Sequence, residues 1–255
     1  MRRRALALNT QSDPGPIPKA LVRSKPLVGS YSLLNQYLNC PHATFHKYIA
    51  KSYPYVQSDA AREGDAVHLA MENRLRIKQP LPPKYAQWEP FAKPFDDQQR
   101  RIAEKYQDKD HLRVDLLIEQ KIGIDKDGKP CDYWGNTVYF RGRIDAAVVQ
   151  NGKAYICDWK SGSSRYEDPF ELEIGAVLLQ AKFNVSTIKG NYIWLKENRV
   201  GVPYDLSDTN KTFAKMRHLM EEIERDRIRD WFEKRKSGLC GWCPVIECEH
   251  WRESK

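Results

Sequence analysis

Residues 139–161 read YFRGRIDAAVVQNGKAYICDWKS. Two apolar runs flank Asn151-Gly152, and both residue types accept the positive φ of a type I′ turn, so the stretch reads as a β-hairpin. With those two as the loop, Gln150 pairs with Lys153. Counting back places Asp145 opposite Asp158, and Arg143 opposite Lys160. Side chains alternate faces along a strand, so Asp145, Asp158 and Lys160 are expected on one face. Opposed carboxylates repel, and a hard divalent cation between them turns the repulsion into coordination.

The rest of the chain supplies a body for that hairpin. Its 255 residues suffice for a single core with an accessory lobe. The +8 formal charge and pI of about 9.1 suit a polyanionic partner. No apolar run approaches a membrane span, and the N-terminal apolar stretch is too short for a signal peptide. A cytoplasmic setting follows, with six cysteines as free thiols or metal ligands rather than disulfides.

Residues 1–28 are expected to be a mobile basic arm touching phosphates. Ser30 or Ser32 caps a helix to about His46, interrupted at Cys40-Pro41. Residues 60–77 form a helix with Val67, Ala70, Met71 and Leu75 buried, and Gly64, His68 and Glu72 on another face. The five prolines of 79–94 indicate a loop or spacer, and 95–107 a helix. Strands are expected at 114–124 and 190–196. One helix opens at Pro169 and carries Gln180. Another covers most of 206–236, capped by Ser207 or Asp208. The order predicts an α/β sandwich with a mixed central sheet.

The acidic face suits phosphodiester hydrolysis, which needs an activated water and stabilised phosphate oxygens. Asp145 and Asp158 are the expected ligands of Mg²⁺ or Mn²⁺, with the main-chain carbonyl of Trp159 as a further oxygen donor. Lys160 is placed to orient water and offset developing charge. Arg141 and Arg143 are expected to hold a DNA strand nearby, while Trp159 and Tyr155 face the core. The helix around 217–236 interleaves acids and bases and reads as a solvated face.

Gly142-Arg-Ile-Asp145 followed by Ile156-Cys-Asp158-Trp-Lys160-Ser-Gly162 resembles the PD-(D/E)XK nuclease superfamily, and within it the RecB-like exonucleases. Gly64-Asp-Ala-Val-His68 is similar to the family's Gly-x-x-x-His helix, implying that His68 reaches a metal. Ile118-Glu119 resembles the acidic position on its first core strand, and Gln180 the glutamine of its later helix. The aromatic that the family carries four residues on is Asn184 here, with Phe183 one place early. The resemblance implies a restriction-endonuclease-like core with a mixed sheet flanked by helices, spanning 29–255. In it, 29–112 is mainly helical, 113–200 is catalytic, and 201–255 holds a helix and the last cysteines.

Cys240-x2-Cys243-x4-Cys248 has spacing suited to Zn²⁺ or an iron–sulfur cluster. Resemblance to the iron–sulfur branch implies Cys40 as the fourth ligand and a [4Fe–4S] cluster stapling the N- and C-terminal helical segments. Structural Zn²⁺ on the same cysteines, or with His250, is the competing assignment. Cys131 and Cys157 are assigned to no metal. The implied activity is metal-dependent exonucleolytic cleavage of DNA with free ends, in recombination, repair or processing. A recombination or replication protein is the expected partner, in a cell's cytoplasm or in that of a virus's host. A structure-specific or restriction-like endonuclease and a silent DNA-binding subunit are the alternatives.

Overall fold

The computed structural model describes residues 26–54, 56–105 and 114–252, so most of the expected basic arm lies outside the described residues. Ser30 starts α1 (Tyr31–Asn39), its side chain accepting from Leu33 N at 3.2 Å, as a cap should. Cys40 is extended, and Pro41 opens α2 (Pro41–Thr44), which runs into a wider turn at Phe45–Ile49. Ser58 caps α3 (Asp59–Arg76), which buries Val67, Met71 and Leu75.

Residues 79–94 are not the spacer that their prolines suggested. A tight 3-10 turn at Pro83–Trp88 leads into α4 (Glu89–Lys105). Pro90 lies in its first turn, where no amide is needed. Pro94 lies inside the helix, and packing outweighs its low propensity. Tyr85, Trp88, Ala92 and Phe95 are buried. Arg74 binds Glu89 and Asp96, each at 2.7 Å, fastening α4 to α3.

The sheet comprises β1 (Val114–Ile124), β2 (Pro130–Cys131), β3 (Phe140–Gln150), β4 (Lys153–Lys160), β5 (Thr187–Trp194), β6 (Arg199–Val200) and β7 (Tyr204–Asp205). Their order is β2-β1-β3-β4-β5-β6, with β7 also on β5. β4 and β5 run parallel, joined by α5 (Phe170–Phe183), and the other pairs are antiparallel. α6 (Thr209–Arg229) is capped by Asp208 and stops seven residues short of the expected end, at Asp230 in the left-handed region. Among the described residues no helix is long and apolar enough to cross a membrane.

Asn151 and Gly152 take φ of +50° and +71°. The β3–β4 ladder runs in the expected register, from Gln150↔Lys153 to Ala146↔Cys157. One face of the sheet packs on α1, α5 and α6, and the other on α3, α4 and the turn before it. Gly142 permits close packing on the first face, since a Cβ there would lie 2.6 Å from Leu178 Cδ1.

Candidate metal centre

The site lies where β1 and β3 exchange faces. Toward one end of β1, Ile122 and Ile124 point to the α5 side; toward the other, Leu117 does. In β3, Phe140 and Ile144 point that way, then Ala147 and Val149. Strict alternation never puts even and odd positions on one face. Each strand therefore shifts phase once, between Ile118 and Gln120 in β1 and between Ile144 and Ala146 in β3. Glu119 holds this shift with φ of +49°, a left-handed value unusual for a side chain of its size. Beside it, Asp145 leaves the regular pairing, and its Oδ2 accepts from Trp159 N at 2.9 Å. A carboxylate thus takes the place of a ladder carbonyl and wedges β3 from β4.

His68 comes down on this point from α3, as its helical spacing with Gly64 predicts. Its Nδ1 lies 3.3 Å from Asp145 Oδ1 and 3.5 Å from Glu119 Oε1. One ligand atom from each of His68, Glu119 and Asp145 falls within 4.8 Å of the others. His68 Nδ1 and Glu119 Oε1 are buried and make no hydrogen bond. Buried polar atoms without hydrogen bonds call for an explanation. An imidazole nitrogen and two carboxylates fit a divalent cation, with oxygen donors favouring a hard ion. Burial alone would lower the pKa of His68. The Asp145 and Glu119 carboxylates outweigh it and push the ring up to about 10.

Asp158, expected with Asp145 as a direct ligand, lies beside this trio. Its Oδ1 turns to Lys160 Nζ at 2.8 Å, because the ammonium is the nearest compensation for a largely buried carboxylate. Burial raises the Asp158 pKa well above the usual range; Lys160 opposes this and Asp145 adds to it. Lys160 also binds Glu171, in the first turn of α5. Burial would lower the Lys160 pKa, but Asp158 and Glu171 raise it further and keep it charged.

The basic residues are arranged differently from expectation. Beyond Ala146, β3 stays paired with β1 rather than β4, so Arg143 faces Lys121, not Lys160. Its Nε contacts Glu119 Oε2 at 2.7 Å. Arg141 sits farther along, over Tyr133 and Trp134. Gln180 is not brought to the centre. Its Oε1 accepts from Thr209 at the start of α6, and the nine residues separating it from Glu171 span roughly 13.5 Å of helix. Trp159 is buried against Phe95, whereas Tyr155 is exposed. Nothing in the sequence marks Glu171 beyond an acid in the first turn after Pro169.

Cys40, Cys240, Cys243 and Cys248 line one cavity of about 680 Å³ between the end of α1 and the C-terminal turns. They do not converge as a tight staple. Among the described residues, three metal-binding atoms come within 4.8 Å only at His68, Glu119 and Asp145. The thiol of Cys243 is raised by burial first, and also by its three cysteine neighbours. Protein contacts join the chain ends here: His42 N donates to Glu233 O at 3.0 Å, and Phe45 packs on Phe232. Cys157 is a buried thiol pushed up to about 12 by burial.

A family model for the PD-(D/E)XK nuclease superfamily matches residues 29–248. The gene 69 protein of Mycobacterium phage L5 is 30% identical over 134 residues, covering 50% of this chain and 42% of that protein. The match thus spans less than half of that relative's length. The crystal structure of SSO0001 is similar with a TM-score of 0.43 and 17% identity, covering 89% of this chain and 87% of that one.

Proposed function

This chain belongs to the PD-(D/E)XK nuclease superfamily, and from that premise we propose that it is a Mg²⁺- or Mn²⁺-dependent deoxyribonuclease of RecB-like type. It cleaves DNA exonucleolytically from free ends, in recombination, repair or processing. The observation that carries this reading is the meeting of His68, Glu119 and Asp145 beside the Asp158–Lys160 pair.

A bound Mg²⁺ or Mn²⁺ supplies Lewis acidity and a more acidic water. His68, Glu119 and Asp145 would hold it, with Asp158 and the Trp159 carbonyl as further donors. Asp145 is fixed for the task, because the Trp159 amide occupies one oxygen and leaves the other facing His68. Lys160 stays protonated between Asp158 and Glu171 and presents positive charge where phosphate oxygens gain negative charge. Arg143 is 48% exposed while touching Glu119, a position from which it can pair with a phosphate beside the ion.

The four cysteines are proposed to carry a [4Fe–4S] cluster. All four cysteines line one cavity, and cysteine-only ligation suits such a cluster. The phage relative fits a setting in a host's cytoplasm, with a recombination or replication protein as partner.

The test uses end-labelled single- and double-stranded DNA with Mg²⁺, Mn²⁺ or chelator. Linear DNA should be degraded only with metal, Asp158→Ala should be inactive though folded, and covalently closed circles should survive. Equal degradation by wild type and Asp158→Ala removes the nuclease assignment; cleavage of closed circles turns it into an endonuclease. Anaerobic purification should give a coloured, iron-containing protein, and a colourless one with zinc would reject the cluster.

A further inference from the structure

We propose that Tyr133 and Trp134, backed by Arg141 and Lys121, form a platform that stacks an unpaired base of a single-stranded DNA segment next to the metal centre. This rests on the deoxyribonuclease reading above and adds a strand-selecting element to it.

Trp134 is 67% exposed, so burial does not account for it. Its turn is nevertheless well fixed. Trp134 N donates to Asp132 Oδ1 at 3.3 Å, and Gly135 N to Asp132 O at 3.0 Å. The turn sits tightly on β1, where a Cβ on Gly123 would come within 3.1 Å of Tyr133 Cα. Arg141 donates to Tyr133 O at 3.3 Å. Its guanidinium lies 4.5 Å from the Trp134 ring centre and 5.1 Å from that of Tyr133. Lys121 Nζ lies 5.7 and 5.9 Å from the same two rings. Two cations around an open indole gain little for the fold, but aromatic faces beside positive charge suit both parts of a single-stranded nucleotide.

The location connects this platform to the metal centre. Phe140, Ile144, Ile122 and Ile124 point to the α5 side, so Arg141, Arg143 and Lys121 project from the opposite face, the one over which His68 stands. Lys121 pairs with Arg143 across the strands, and Arg143 touches Glu119. A line of positive charge therefore leads from the centre along β3 to Trp134. Arg141 is four residues from Asp145, roughly 13 Å along the strand. Phosphates would follow the cations while a base rests on the indole. Paired bases already stacked in a duplex cannot use such a surface, so the platform selects single strands.

Binding is measured by fluorescence anisotropy in EDTA, where no cleavage occurs, using full-length protein. The probes are a duplex with a single-stranded overhang and a blunt duplex of equal length. Trp134→Ala should weaken overhang binding about tenfold and leave blunt-duplex binding unchanged, and Trp134→Phe should recover most of the loss. Overhang affinity equal to wild type in Trp134→Ala overturns the platform, and so does an equal loss on both probes. Cleavage by wild type in Mg²⁺ is scored separately. Selective loss of overhang binding without any wild-type cleavage would retain the platform and reject the nuclease; cleavage with unchanged overhang binding would do the reverse.

Discussion

His68, Glu119 and Asp145 converge on the middle of a seven-stranded sheet, whereas Cys40 and the three C-terminal cysteines only line a cavity between short turns. The first set is positioned by ladders of backbone hydrogen bonds and a helix packed across them. The second is carried by an extended Cys40 and the 3-10 turn Cys240–Trp242. A preformed centre suits an ion that is exchanged or shared with substrate, and a loosely framed one suits a resident group that completes the fold.

The largest expected effect separates the two regions by activity. Lys160→Ala should lower kcat by about 100- to 1,000-fold while any iron in the proposed cysteine cluster is retained. An equal loss of iron would show that the regions are not independent.

Next comes stability. Cys240→Ser should remove the visible absorption and about 2 kcal/mol or more of stability, a fall in Tm of roughly 4–8 °C for a chain of this size. Mn²⁺ binding at the sheet should persist. A Tm equal to wild type would mean that the cavity closes without its ligand.

A third effect appears in pH dependence. His68 is raised from 6.5 to about 10 in the folded, metal-free protein. Its charged form therefore contributes stability that is fully present below about pH 6.5 and lost as pH rises through about 10. His68→Gln should flatten this decline in metal-free unfolding curves recorded from pH 6 to 10. Because a cation must displace that proton, Mn²⁺ affinity should also rise with pH over the same window in wild type, and less so in His68→Gln.

The smallest effect concerns backbone conformation. Glu119→Gly relaxes a left-handed residue that Glu119→Ala leaves in place, so the glycine variant should be about 1 kcal/mol the more stable in urea unfolding. Both should lose metal. Equal stabilities would argue against strain at the phase shift.

These contrasts also explain what the sequence disclosed. Asn151-Gly152 fixed the hairpin register because that turn needs two residues tolerant of positive φ, and the ladder followed from Gln150 to Ala146 as counted. His68 was legible from helical spacing and resemblance. Glu119 was named by resemblance and Asp145 from the hairpin, but their meeting apart from Asp158 was not legible, because alternation places Asp158 opposite Asp145 and gives no sign that β1 and β3 change phase together. That change depends on Glu119 at positive φ, a conformation its residue type does not announce. Lys160 was correctly placed beside Asp158, but its second partner Glu171 comes from a helix whose angle to the sheet is a tertiary property. Gln180 followed the resemblance and is held instead by Thr209. Pro90 and Pro94 signalled a loop, and Arg74 with four buried aromatic and alanine side chains made a helix of it.

The shared phase shift of β1 and β3 brings His68, Glu119 and Asp145 together as a candidate cation site. Anomalous scattering from crystals of the full-length protein soaked in Mn²⁺ tests it most directly. A strong peak is expected in contact with Asp145 and Glu119 and within reach of His68, lost in Asp145→Asn. No peak there, or one that survives Asp145→Asn unchanged, would contradict it.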